Sequence, residues 1–319
     1  MIEKGFTADL ASRIKAEIEK AVINQPEITD YALTCMLSRG HVLIEGVPGL
    51  AKTLWVRALS KAVNVDFKRV QFTSDLMPAD ILGMKIYNME QSAFVLKKGP
   101  LFTNFFLADE INRTPPKTQS ALLEVMEEKA ITIDGETHIL SSPFMVIATE
   151  NPVEYEGTYP LPEALVDRFT MKLMVTYPGI ASEKEILSMY NKGFNAADIS
   201  TAGINAVATS LDIEKARAEI NDVVVDDSIL NYIVSIIETT RRVNSVAIGA
   251  SPRGSVALLT NTKAYAALKG RDFVTPDDVK ELALPILRHR IILKPEAEID
   301  GMKTDRVIEG ILSQVKVPR

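Results

Sequence analysis

A single cysteine, Cys35, in 319 residues rules out an intrachain disulfide framework, and no Cys-x-x-Cys pair or Cys/His cluster offers zinc ligands. Cys35 sits in the apolar stretch Tyr31-Ala32-Leu33-Thr34-Cys35-Met36-Leu37, so buried packing is expected rather than a reactive thiol. The three histidines, His41, His138 and His289, are too dispersed to propose a metal site, and the one tryptophan, Trp55, reads as core packing. Missing too is any apolar run approaching the ~18 residues that a membrane-spanning helix needs. Met1-Ile2-Glu3-Lys4 lacks the apolar core of a signal peptide. Membrane insertion is therefore not expected, and a reducing cytoplasm fits. A net charge of -6 gives no general attraction to nucleic acid.

What is present is an ordinary globular balance, with 46% hydrophobic and 24% charged residues over a length sufficient for two domains. Helical signals over 8–21 and 26–38 precede a strand over 41–45 and a helix over 52–63. Further apolar runs mark strands over 65–72, 105–108, 144–148 and 171–177. Strands alternating with helices predict a parallel sheet with helices on both faces. Two alternating segments interrupt that rhythm and read as hairpins, one over 85–96 and one over 131–140, the second turning at Asp134-Gly135. After Tyr177-Pro178-Gly179 the texture becomes helix-rich, with helices expected over 227–242, 251–269 and 275–290. The expected division is an α/β domain over 1–178 and a helical domain over 179–319.

The chemistry starts at Gly46-Val47-Pro48-Gly49-Leu50-Ala51-Lys52-Thr53, between an apolar strand and a helix. Backbone N–H groups of a glycine-bearing turn, joined by the positive end of the following helix, form a cradle for nucleotide phosphates. Lys52 reaches the β- and γ-phosphates and Thr53 is a Mg²⁺ ligand. Ala51 stands where the phosphate-loop consensus wants glycine.

Phe105-Phe106-Leu107-Ala108-Asp109-Glu110 is an apolar strand ending in two acids. Alternation along the strand separates their roles, with Asp109 holding the Mg²⁺ hydration shell and Glu110 contacting an attacking water. An acidic pair at a strand end is also ordinary solvated surface, but the preceding phosphate loop favours the chemical reading. A second buried strand ends at Thr149-Glu150-Asn151-Pro152, placing Asn151 where a polar sensor would sit, although Asn is also simply a good turn residue before Pro. Arg168 precedes the last strand and could reach a neighbouring subunit's γ-phosphate, or pair with Asp167 or Glu163. Arg253 occupies the first turn of a helix, where a bound phosphate would reverse an unfavourable dipole term; otherwise it is a solvated arginine. Arg113 could read a neighbour's nucleotide or form a surface ion pair.

Together these residues resemble the AAA+ ATPases, and within them the MoxR family, over nearly the whole chain. Residues 46–53 are similar to that family's Walker A, where Ala before Lys is common. Residues 107–119 resemble its Walker B and following segment, Ala148-Thr149-Glu150-Asn151-Pro152 its sensor 1, residues 163–169 its arginine-finger segment and Ser251-Pro252-Arg253 its sensor 2. The resemblance implies a three-layer α/β/α parallel-sheet domain followed by a helical lid, with ATP and Mg²⁺ between them. Residues Gly46 to Leu54 would contact the nucleotide along with Asp109, and Val22-Ile23-Asn24-Gln25 lies where such proteins contact adenine, with Asn24 where Gly is usual. It further implies a homo-oligomeric ring, most often a hexamer, in which the hairpins and Lys97 and Lys98 face a central pore. Partners implied are client proteins and von Willebrand factor A-domain proteins acting in trans, for chaperone-like maturation or metal insertion. Two rival readings stay open. One is a nucleotide-dependent interaction switch with slow hydrolysis; the other is a ring motor stimulated by nucleic acid. A GTPase fits less well, because Asn191-Lys192-Gly193-Phe194 lacks the Asp that would read guanine.

Overall fold

Apolar runs bounded by polar turns form the strands β1 (Val42–Glu45), β2 (Phe67–Gln71), β3 (Gly83–Asn88), β4 (Ala93–Lys98), β5 (Phe105–Asp109), β6 (Ala130–Ile133), β7 (Glu136–Ile139), β8 (Met145–Glu150) and β9 (Met171–Met174). The computed structural model describes residues 5–47, 49–151 and 157–318. Five of the strands form one sheet in the order β2-β5-β8-β1-β9, with every neighbouring pair parallel. Helices α1 (Phe6–Glu19), α2 (Pro26–Leu37), α3 (Lys52–Val63), α4 (Pro78–Leu82), α5 (Pro116–Glu128) and α6 (Glu163–Val166) accompany it.

Alternation along the central strands decides which helices cover which face. Val42 and Ile44 of β1 and Phe105 and Leu107 of β5 point into a core shared with α1, α2 and α3. Leu43, Phe106, Ala108, Val146 and Ala148 point the other way, onto Leu122, Val125 and Met126 of α5 and Phe169. Three layers result, as expected from alternating strands and helices. Trp55 is buried in the first core and donates Nε1–H to Thr29 Oγ1 at 3.0 Å. Cys35 is fully buried, and burial pushes its thiol up to about 12, so its packing role holds.

Both expected hairpins form. β3 pairs with β4 and β6 with β7, all antiparallel. Asp134 and Gly135 both take positive φ, 49° and 82°, the conformation that lets a two-residue turn follow the strand twist. The hairpins meet through Lys85 Nζ and Glu136 Oε1 at 2.7 Å.

Beyond β9 come α7 (Ile180–Asn191), α8 (Ser210–Asn221), α9 (Asp227–Arg242), α10 (Pro252–Leu268), α11 (Pro276–Leu287), α12 (Pro295–Ile299) and α13 (Thr304–Gln314). Asp226 caps α9 by accepting from Ser228 N at 2.8 Å. Thr275 and Asp278 form a reciprocal capping box on α11. Among these helices lies a short antiparallel pair, β10 (Val246–Ile248) with β11 (Ile292–Leu293), too brief to leave a periodic signal in the sequence. The buried cluster on the α1 side of the sheet runs on through α1 and α2 into α8, α9, α10 and α11, so the amino-terminal helices join the two halves.

Candidate nucleotide site

The loop after β1 is shaped by two residues in left-handed backbone conformation. Gly49 has φ 86° and Ala51 has φ 57°, ψ 17°. Ala51 thus adopts the conformation for which the consensus reserves glycine, at a steric cost of about 1 kcal/mol. At Gly46 the need for glycine is a close approach, because a Cβ would lie 2.8 Å from the Val175 carbonyl at the exit of β9. Helix α3 then begins without a side-chain cap and with no acid in its first turn, which leaves its leading N–H groups directed at the loop. Pro48 lies outside the described residues.

Lys52 is the first residue of α3 and Thr53 the second. Lys52 Nζ donates to Gly46 O at 2.7 Å and to Glu150 O at 3.5 Å. Burial lowers its pKa, opposed by the charges of Asp109, Glu110 and Glu45. Those opposing charges place the lysine within electrostatic reach of the ends of β1 and β5.

Register explains why the acids converge there. Leu107 and Ala108 lie opposite Ile147 and Ala148, so Asp109 comes beside Thr149. Thr149 Oγ1 donates to Asp109 Oδ1 at 2.6 Å and accepts from Glu110 N at 2.9 Å. The other oxygen of Asp109 accepts from Arg69 Nε at 2.9 Å and Arg69 Nη2 at 2.7 Å. Arg69, on edge strand β2, is a residue that motif reasoning missed; its only sequence signal is a charge inside a strand-forming run.

Glu110 departs from the expected geometry. Strand β5 stops at Asp109, and Glu110 has φ 55°, ψ 51°, so a left-handed turn rather than strand alternation sets its direction. Its Oε2 accepts from Gln71 Nε2 at 2.8 Å and pairs with Arg113 Nε at 2.8 Å. Arg113 is therefore engaged within its own chain, in the ion-pair alternative of the sequence reading. Asn151 follows β8 and is buried, whereas Pro152 lies outside the described residues.

Glu150 beside it is held by Lys172 Nζ at 3.6 Å, which also pairs with Glu45 at 2.6 Å. Burial raises the pKa of Glu150, against the pull of Lys172.

A cavity of about 140 Å³ adjoins the loop. Gly49, Leu50, Ala51 and Leu54 form one wall, and Val22 and Ile23 also line it. Ile186, Met189, Tyr190 and Phe194, from α7 and just after it, complete it; the sequence reading did not single them out. Tyr190 and Phe194 meet edge to face at 5.3 Å. Asn24 takes φ 54°, a conformation Asn tolerates better than most residues, so it serves where glycine is usual. Its Nδ2 donates to Ser182 Oγ at 2.8 Å, tying this loop to α7.

The two remaining arginines lie elsewhere. Arg168 forms an ion pair with Glu127 of α5, not with Asp167 or Glu163. Arg253, in the first turn of α10, is not simply solvated: its Nη1 donates to Asp167 Oδ2 at 2.9 Å. Two of the histidines hold backbone groups, His289 through Phe169 O at 2.8 Å and His41 within the sheet. His41 Nδ1 accepts from Val146 N at 2.9 Å, which assigns the ring proton to Nε2, 3.1 Å from Met126 O. Among the described residues no cluster of His, Cys, Asp or Glu could hold a metal alone.

Comparison with known proteins defines the class. Residues 41–171 match the model of the ATPase family associated with various cellular activities, and residues 238–311 match the AAA lid domain. A crystal structure from Cytophaga hutchinsonii, described as a candidate ATPase, superposes with a TM-score of 0.91 at 43% identity, covering 98% of this chain and 96% of that one. Chaperone MoxR1 of Mycobacterium tuberculosis is 38% identical over 99% of this chain and 85% of its own length. YeaC of Bacillus subtilis, a protein of uncharacterised function, is 47% identical over 97% of this chain and 95% of its own. The chain belongs to the MoxR family of AAA+ ATPases.

Proposed function

We propose that this protein hydrolyses ATP in a homo-oligomeric ring, hexameric as the family resemblance implies, and uses the cycle to remodel or mature partner proteins. The observation that carries the reading is the meeting of Lys52, Asp109, Glu110 and Thr149 at the ends of adjacent parallel strands, beside an apolar cavity walled by the phosphate loop. The working units are an α/β domain over 1–178 and a lid over 179–319.

In this reading residues 46–54 cradle the phosphates, while Val22, Ile23 and the α7 side chains take the adenine. Asp109 and Thr53 are hard oxygen donors, and one carboxylate with one hydroxyl suits Mg²⁺ arriving with ATP rather than a permanent cage. Arg69 and Thr149 fix the Asp109 carboxylate, with both bonds from Arg69 falling on Oδ2, and leave a lone pair on Oδ1 for the ion's water shell. Bound Mg²⁺ supplies charge neutralisation on the phosphates. Glu110, steadied by Gln71 and Arg113, polarises the attacking water and Asn151 orients it. Lys52 and Arg168 of an adjacent copy neutralise charge on the transferring group, and Arg253 reports nucleotide state to the lid.

Client contact falls to the β3–β4 hairpin, where Met84, Ile86, Tyr87 and Phe94 are exposed and Lys97 and Lys98 follow. The chaperone name of the M. tuberculosis relative supports protein remodelling, with clients or von Willebrand factor A-domain proteins in trans. A cytoplasmic setting fits the absence, among the described residues, of a helix long and apolar enough to cross a membrane.

One observation favours the rival switch. Arg168 is occupied by Glu127 within the chain, which makes slow turnover the expected state of the isolated subunit. Turnover measured against protein concentration, with mass determined with and without ATP, separates the two. Rate per subunit rising as rings form supports the motor; a constant, slow rate points to the switch.

A further inference from the structure

Strand β2 brings a polar pair, Arg69 and Gln71, to the acids at the end of β5. The two are separated by one residue and so share a face of the strand, and register sets Gln71 opposite Asp109. Both bonds from the Arg69 guanidinium to Asp109 fall on Oδ2, from Nε at 2.9 Å and Nη2 at 2.7 Å, which fills that oxygen. Nη2 also donates to Gln71 Oε1 at 3.0 Å, and Gln71 Nε2 donates to Glu110 Oε2 at 2.8 Å. The guanidinium is thus braced by its own strand against the carboxylate.

Charge balance at the strand ends gives this contact a consequence beyond bracing. Glu45 and Glu150 are matched by Lys172, Glu110 by Arg113 and Asp109 by Arg69. Lys52 adds a further cation within electrostatic reach of Asp109. A cation therefore already lies against the acid assigned to Mg²⁺, and it opposes a second positive charge there. The Arg69 side chain is about half exposed, so water weakens this repulsion without removing it. Thr149 holds Asp109 through Oδ1 independently of Arg69. Loss of the guanidinium accordingly removes charge while one orienting bond stays.

We propose that Arg69 is a positioning residue that makes metal binding depend on nucleotide: its charge keeps Asp109 from taking a divalent cation alone, and leaves tight binding to the state in which a triphosphate adds its own negative charge and oxygen ligands. This rests on the ATPase reading above. Metal and nucleotide then bind with positive coupling, and neutralising Arg69 lessens the gain in metal affinity that nucleotide brings.

The test is Mn²⁺ binding, read by electron paramagnetic resonance of the free ion, to nucleotide-free protein and to protein saturated with a non-hydrolysable ATP analogue. Mn²⁺ takes the same oxygen donors as Mg²⁺. The proteins compared are the wild type, Arg69→Met, Arg69→Lys, Asp109→Asn and the Arg69→Met, Asp109→Asn double variant. Without nucleotide, Arg69→Met should bind Mn²⁺ about threefold to tenfold more tightly than the wild type, the scale of a largely screened unit charge near a divalent ion. Arg69→Lys keeps the charge and should stay near the wild type, and the tightening should vanish in the double variant. An Arg69 that only orients Asp109 would give weaker binding in Arg69→Met. Weaker or unchanged binding overturns the proposal, as does tightening that persists without Asp109 or that Arg69→Lys shares in full. Arg69→Gln, neutral and still a donor, serves if Arg69→Met does not fold and should give the same tightening. Wild-type protein that binds no analogue, or whose analogue-dependent Mn²⁺ binding survives Asp109→Asn, would instead remove the ATPase reading of this site and this proposal with it.

Discussion

Thr149 and Asp109 are joined by a 2.6 Å hydrogen bond between neighbouring parallel strands, and the same hydroxyl accepts the Glu110 N–H at 2.9 Å. One buried side chain thus sets the direction of both acids at the end of β5. Thr149→Val keeps the shape, removes both bonds and leaves the Glu110 N–H without its acceptor. The expected cost is about 1–3 kcal/mol in chemical denaturation. Turnover should fall while ATP affinity changes little; an unchanged rate would show that the acids are positioned by other contacts.

Ala51 holds a left-handed conformation with φ 57° at the start of α3. Ala51→Gly is expected to stabilise the fold by only ~0.5 kcal/mol, because relief of the left-handed strain is largely offset by the added freedom of the unfolded chain. Urea unfolding reads this directly. A lower midpoint would mean that the loop carries no such strain.

Glu110→Gln should retain ATP binding and lose turnover by about 10²–10⁴-fold, the usual scale for removing a general base. Steady-state hydrolysis and analogue binding measured on one preparation give both numbers. Near-native hydrolysis would remove Glu110 from the role proposed for it.

His41 is fully buried between Val146 N and Met126 O, and burial pushes its pKa from 6.5 down to about 4. The unfolded state therefore takes up a proton first as pH falls. Stability from this site is complete above about pH 6.5 and is lost progressively down to about pH 4, on the order of 3 kcal/mol in all. Protonation would also set an Nδ1–H against the Val146 N–H. Imidazole NMR signals should show His41 neutral at pH 5; protonation near the ordinary value of 6.5 would contradict this.

The sheet and the phosphate loop were legible because each signal is local: an apolar strand, a turn and a helix start lie consecutively over residues 42–63. The ends of β5 and β8 were legible for the same reason. Pairings that bridge distant segments were not. Arg69 meets Asp109 only because β2 and β5 are neighbours in the sheet, and Arg168 finds Glu127 through the packing of α5 under that sheet. The Glu110 direction was read from strand alternation, which fails where the strand ends in a left-handed turn. The α7 residues of the cavity carried no motif, since Ile186, Met189 and Tyr190 become informative only when the helix is folded against the loop.

The central claim is that each active site is completed by Arg168 of an adjacent copy, and a mixing experiment tests it most directly. Glu110→Gln and Arg168→Ala proteins are each expected to hydrolyse ATP poorly. Mixed and allowed to reassemble, they should regain turnover well above either parent, because some interfaces then join an intact Glu110 to an intact Arg168. A mixture that stays at the average of its two parents, or an Arg168→Ala protein with full activity alone, would contradict the account.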